Sequence, residues 1–166
     1  MTADRGHNGT YSREQFVAKL RRVTDRTRNV LDLAHSIAQT HGHAAVLPEH
    51  ILLGLLREGE GVAATALVYT HVSVDALGRD LEQHFAVPRT PEPVSPEPEW
   101  GPEAARVLER ASLEAKELGH SYLGTEHVLL SLFSDTSSVT AQTLARHGAR
   151  EEDVRREVAR LLYGTP

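Results

Sequence analysis

Residues 41–55, HGHAAVLPEHILLGL, return as residues 118–132, LGHSYLGTEHVLLSL, at an offset of 77 residues. The same offset holds without a gap when residues 23–86 are laid against 100–163. It pairs Val30 with Val107, Leu31 with Leu108, Ala34 with Ala111, Ala38 with Ala115, Val62 with Val139 and Leu67 with Leu144. Most matches are apolar and fall at helical spacing, as a duplicated packing unit should keep them. Between the copies, VPRTPEPVSPEPE carries five prolines, which deny a helix its backbone donors and angles, and reads as a linker.

Each copy reads as four helices. In the first, Val30, Leu31, Ala34 and Ala38 share one face of a helix from about residue 25 to 41 that Gly42 can end. Pro48 suits the first turn of the next, whose stripe is Ile51, Leu52, Leu55 and Leu56. Gly59 and Gly61 break the chain before a short third helix with Val62, Ala63, Ala66 and Leu67, and Ser73 caps a fourth with Val74, Leu77, Leu81 and Phe85 inward. In the second copy Pro102 opens the first helix, Gly119 ends it, Thr125 is expected to cap the next, and Val154, Val158 and Leu161 mark the last. Ahead of both, Ser12 and Gln15 fit a capping box opening a short helix with Phe16, Leu20 and Val23. The expected fold is all-α: two tandem four-helix repeats related by a pseudo-two-fold, plus the short N-terminal helix. The divisions are 1–22 (extension), 23–86 (first repeat), 87–99 (linker) and 100–166 (second repeat), with 23–163 one compact domain.

At 166 residues the chain can bury about two-thirds of its extended surface. Its few aromatics, three Phe, one Trp and four Tyr, leave the core to Leu, Val and Ala. With no Cys, disulfides and thiolate metal sites are excluded. No stretch of about 18 apolar residues is available to span a membrane, and the polar opening lacks a signal-peptide core, so a cytoplasmic location is expected. Lys and Arg number 18 against 23 Asp and Glu, a formal charge of −5 that disfavours nucleic acid and suits cationic peptides.

LPEHILLGLLREGEGVA at 47–63 and GHSYLGTEHVLLSL at 119–132 resemble the Clp N-terminal repeat family, the substrate-receiving domain of ClpC/ClpA-type protein unfoldases. The resemblance covers residues 23–163 and includes copy number, order and linker. In that family the double repeat precedes two ATPase modules and receives substrates, adaptor proteins and, in some bacteria, phosphoarginine-marked proteins or cyclic-peptide antibiotics. No G-x-x-x-x-G-K-[ST] occurs here, so nothing can cradle nucleotide phosphates. The resemblance implies a stand-alone, non-enzymatic module without ATPase or cofactor, an accessory, decoy or sensor of a ClpC-type unfoldase and its ClpP protease. A stress- or drug-responsive regulatory module is the alternative. A small hydrolase is disfavoured, since no catalytic constellation can be assembled.

Glu49 and Glu126 open the second helix of each copy, where helix amides and dipole also favour an anion. A carboxylate beside such amides can pair with the guanidinium of phosphoarginine while its phosphate takes N–H donors. The resemblance points to the same Glu of GTEH. The first copy has Leu47 and Pro48 where the pattern has Gly and Thr, whereas the second keeps Gly124, Thr125 and Glu126, so phosphoarginine binding is expected to depend mainly on Glu126, with Thr125 a further candidate contact and Glu49 mattering less. REGEG survives at 57–61 but is Ser134, Asp135, Thr136, Ser137 and Ser138 in the second copy. Trp100, with Arg106 and Glu109, is a candidate for a peptide or antibiotic groove between the copies, against a plain packing role. His43, His50, His120 and His127 recur in step but lack metal-motif spacing, so they are read as turn-bonding histidines, with no metal centre expected and only adventitious metal at His41 and His43.

Overall fold

The computed structural model describes residues 22–87 and 97–164, and Ser12, Gln15, Ala18 and Leu20 before them. Residues 88–96 of the linker and most of the expected N-terminal helix, Phe16 included, lie outside the described residues, while Glu99 at the linker's end belongs to a short strand. The capping box itself is present: Ser12 N–H donates to Gln15 Oε1 and Gln15 N–H to Ser12 Oγ, both at 3.3 Å.

The first repeat contains α1 (Asp25–Thr40), β1 (Ala45–Val46), α2 (Pro48–Glu58), α3 (Val62–Tyr69) and α4 (Val74–Ala86). The second contains β2 (Glu99–Trp100), α5 (Pro102–Glu117), α6 (Thr125–Ser131), α7 (Val139–Arg146) and α8 (Glu151–Tyr163). Eight helices among the described residues therefore match the duplicated apolar pattern. Val30, Leu31, Ala34, Leu52, Leu67, Leu108, Leu129 and Leu144 are buried in one core shared by both copies. Thr24 caps α1, its Oγ1 accepting from Thr27 N–H at 3.2 Å, and Gly42 and Gly119 follow the first helices with φ of 68° and 73°.

α1 packs on α2 and α5 on α6 within the copies. Between copies α3 meets α6 and α8, while α7 meets α2 and α4, the reciprocal contacts of a pseudo-two-fold. Gly54 shows how closely α1 and α2 approach: a Cβ there would lie 2.8 Å from the Val30 carbonyl oxygen. Glu114 of α5, only 1% exposed, accepts from both Nη atoms of Arg155 on α8 at 2.8 and 3.0 Å and from Arg110 at 3.0 Å. The Arg155 guanidinium, with Arg110 adding to it, holds the Glu114 carboxyl below the ordinary carboxylate range against the opposing effect of burial.

One element departs from the all-helical expectation. β1 and β2 form a two-residue parallel pair, with Ala45 opposite Glu99 and Val46 opposite Trp100. A single parallel bridge, Val23 to Leu123, repeats it at the pseudo-symmetric place. Its bonds are Thr24 N–H to Leu123 O at 3.1 Å and Leu123 N–H to Arg22 O at 3.0 Å. In each case the strand leading into one copy's first helix crosses to the turn before the other copy's second helix. The paired segments satisfy one another's backbone donors and acceptors where the two copies meet.

Candidate functional site: a groove between the repeats

The two turns that open α2 and α6 are built around histidine. Leu47 and Gly124 are the residues just before these helices and have no side-chain acceptor. Leu47 N–H donates to His50 Nδ1 at 2.8 Å and Gly124 N–H to His127 Nδ1 at 2.9 Å, the reach-back half of a capping box. An Nδ1 that accepts places the proton of a neutral imidazole on Nε2. His50 Nε2 then donates to His43 Nδ1 and His127 Nε2 to His120 Nδ1, each at 2.8 Å, and His120 Nε2 reaches the Tyr163 hydroxyl. Burial, followed by the neighbouring His120, pushes the His127 pKa down to about 4 and keeps the ring neutral. His120, Glu126 and His127 do bring ligand-type atoms within 4.8 Å of one another. The tautomer set by Gly124 leaves His127 Nε2 without a lone pair, so these atoms serve each other rather than an ion.

Thr125 does not cap its own helix, as the sequence suggested; it is the first residue inside α6, after Gly124. Its Oγ1 instead accepts from Ala63 N–H, at 3.3 Å, capping the third helix of the other copy. The matching pair across the pseudo-two-fold, Pro48 and Thr140, cannot make that bond, because proline has no hydroxyl. That seam is open, and a groove of about 610 Å³ lies there. Pro48 and Glu49 line it from α2, Glu103, Arg106 and Arg110 from α5, and Asp135 and Ser137 from the loop before α7.

The two glutamates are placed differently. Gly124 leaves room for the Glu126 carboxylate to fold back over its own turn, where any side chain at position 124 would collide with it. Tyr122 donates its hydroxyl to that carboxylate; burial first, then the Glu126 charge, push the Tyr122 pKa up to about 12. Both carboxylates are largely buried, Glu126 at 3% exposure and Glu49 at 6%. The first copy has Leu47 where the second has Gly124, so Glu49 lacks that position and lines the groove, with His84 Nε2 at 3.8 Å from its Oε1.

Of the three residues expected to form an antibiotic groove, only Arg106 lines this one. Trp100 is 0% exposed: its backbone is fixed in the β1–β2 pair and its indole fills the core, so the packing role replaces the groove role. Glu109 is exposed on α5, away from the groove lining. Sequence reasoning missed Arg110 and Glu103, and met Asp135 only as a departure from REGEG. Comparing the copies at these positions carries the signal, since Arg110, Glu103 and Asp135 stand where the first copy has Leu33, Arg26 and Glu58.

A duplicated helical repeat whose halves meet across a groove is the architecture of a Clp-type N-terminal domain. The chain belongs to the family of the Clp repeat (R) N-terminal domain, which matches residues 22–147 and 114–163. It is 39% identical over 141 residues to the chaperone protein ClpB of Oceanobacillus iheyensis and 40% identical over 141 residues to the negative regulator of genetic competence ClpC/MecB of Bacillus subtilis. Each alignment takes in 85% of this chain but 17% of the relative, so the chain spans about one-sixth of the length of those proteins. The ClpV N-domain solved in complex with VipB peptide shares the fold, with a TM-score of 0.68 and 22% identity over 93% of this chain and 94% of that one. Among the described residues no helix is long and apolar enough to cross a membrane.

Proposed function

We propose that the chain is a non-catalytic module that receives a peptide segment of a protein partner in the groove between α2, α5 and α7. The observation that carries this reading is the groove's charge arrangement: Glu49 from one repeat shares one concavity with Arg106 and Arg110 from the other. A ligand with both a cationic and an anionic group finds a partner for each there. The peptide complex of the ClpV N-domain supports a peptide occupant, and kinship with ClpC supports a Clp partner. Substrate proteins, adaptors or a ClpC-type unfoldase are the partners inferred. The chain would act in the cytoplasm as an accessory, decoy or sensor of a ClpC–ClpP system. We infer phosphoarginine as the ligand group, its guanidinium on Glu49 and its phosphate on Arg106, with Thr125 and Glu126 as the counterpart position in the second repeat. A cyclic-peptide antibiotic is the alternative occupant.

The test is titration of an arginine-phosphorylated peptide, with the unmodified peptide as control, into the parent, Glu49→Gln and Arg106→Ala proteins. Loss of one charge-assisted bond should weaken binding by about ten- to a hundredfold. Indifference to the phosphate would sink the phosphoarginine reading, and unchanged affinity in both variants would remove the groove.

A further inference from the structure

We propose that the two pseudo-equivalent grooves are functionally unequal: Arg26 latches the one beside Thr125 and Glu126 shut, and the chain takes up its ligand only in the one beside Glu49. This rests on the binding reading above and deepens it by naming which site works and what closes the other.

The latch is a continuous chain of contacts. Arg26 Nη1 on α1 pairs with Glu58 Oε1 at 2.8 Å and Glu60 Oε2 at 2.9 Å. The Glu58 side chain is 6% exposed, and its other oxygen accepts from Gly61 N–H at 2.8 Å and Glu60 N–H at 3.3 Å. The 58–61 loop is thereby drawn onto α1. It lies so close to α6 that a Cβ at Gly61 would be 2.6 Å from Thr125 Oγ1, and Thr125 completes the closure by its bond to Ala63. What remains on that side is a depression of about 510 Å³ lined by Arg26, Asn29, Glu58 and Glu60 among others, and neither Thr125 nor Glu126 lines it.

Each part of the latch is missing from the other copy. At Arg26's position stands Glu103, at Glu58's Asp135, and at Glu60's Ser137. Two carboxylates cannot pair, so the loop before α7 is not drawn onto α5. It closes on itself instead: Asp135 Oδ1 accepts from Ser137 N–H at 3.0 Å and from Ser137 Oγ–H at 2.6 Å. With Pro48 in place of Thr125, position 48 has no hydroxyl to accept from the Thr140 amide. Arg106 and Arg110 replace Asn29 and Leu33, so the open groove holds cations at two positions where the latched one has none.

The chain contains no cysteine, so one introduced thiol reports on one groove. In the full chain, Thr125→Cys should react slowly with a maleimide and Pro48→Cys rapidly. Adding Arg26→Ala to Thr125→Cys should raise its rate about tenfold, by releasing the loop. Building the latch into the other copy, with Glu103→Arg, Asp135→Glu and Ser137→Glu together, should slow Pro48→Cys to a similar degree. A Thr125→Cys rate indifferent to Arg26→Ala, together with a Pro48→Cys rate indifferent to the rebuilt latch, would overturn the proposal. A parallel NMR titration with free phosphoarginine should shift amides around Glu49 and Arg106 and leave Gly124 to His127 unmoved until Arg26 is replaced. Shifts at both grooves of the parent would also overturn it. Shifts at neither would refute the ligand chemistry, while the thiol rates still decide the latch.

Discussion

His127 accepts the Gly124 amide on one nitrogen and donates to His120 from the other, so it has no use for a second proton. Its pKa is pushed down to about 4 by burial, and an unfolded histidine titrates near 6.5. Between those values the unfolded chain binds a proton that the native one refuses, so stability falls as pH is lowered through that window and this contribution levels off below about 4. In urea denaturation, the parent should lose about 1 kcal/mol more than His127→Asn between pH 7 and 5.5. Parallel pH profiles would contradict the assignment. Recurrence of His43, His50, His120 and His127 revealed turn-bonding residues, because a bond within seven residues leaves its mark in local spacing. The partner of Thr125 left no such mark: Ala63 is 62 residues away, on the other copy. Pro48 likewise looked like damage to a binding turn, when it leaves open the seam that Thr125 closes elsewhere.

At the scale of elements, α1 and α2 meet where Gly54 passes under the Val30 carbonyl. Gly54→Ala gains helix propensity but drives a methyl into backbone that cannot rotate away, so a net loss of about 1–2 kcal/mol is expected in chemical denaturation. The corresponding Ser131 already carries a side chain, its Oγ–H donating to the Val128 carbonyl at 2.6 Å, and Ser131→Ala should cost less than about 1 kcal/mol. Equal losses at the two positions would show that this close approach is not what sets the cost. Helix number, order and buried stripes were legible because apolar spacing at 3.6 residues repeats with the offset. Neither β1–β2 nor the Val23–Leu123 bridge was legible. Two extended residues carry no periodicity, and their pairing joins segments that only the packing of the copies brings together.

For the molecule as a whole, the pseudo-two-fold was readable from the repeat, but its working asymmetry was not. The asymmetry we propose rests on pairs that are unremarkable singly, such as the Arg26–Glu58 ion pair and the two carboxylates, Glu103 and Asp135, at the matching positions. The reciprocal strand pairing gives each repeat a piece of backbone structure that only the other can complete. Fragments 1–90 and 91–166, co-expressed, should therefore associate and restore the helical circular dichroism of the intact chain, while either alone should show far less. A fragment that folds fully by itself would contradict that. Physically the chain is a tethered dimer of two similar halves. The linker's task is then to set the effective concentration at which the halves meet, so inserting flexible residues there should lower stability only logarithmically with length. The two halves, once fused, were also free to diverge independently. Two identical chains must encode both grooves alike, whereas a single chain of two repeats can encode one of each kind.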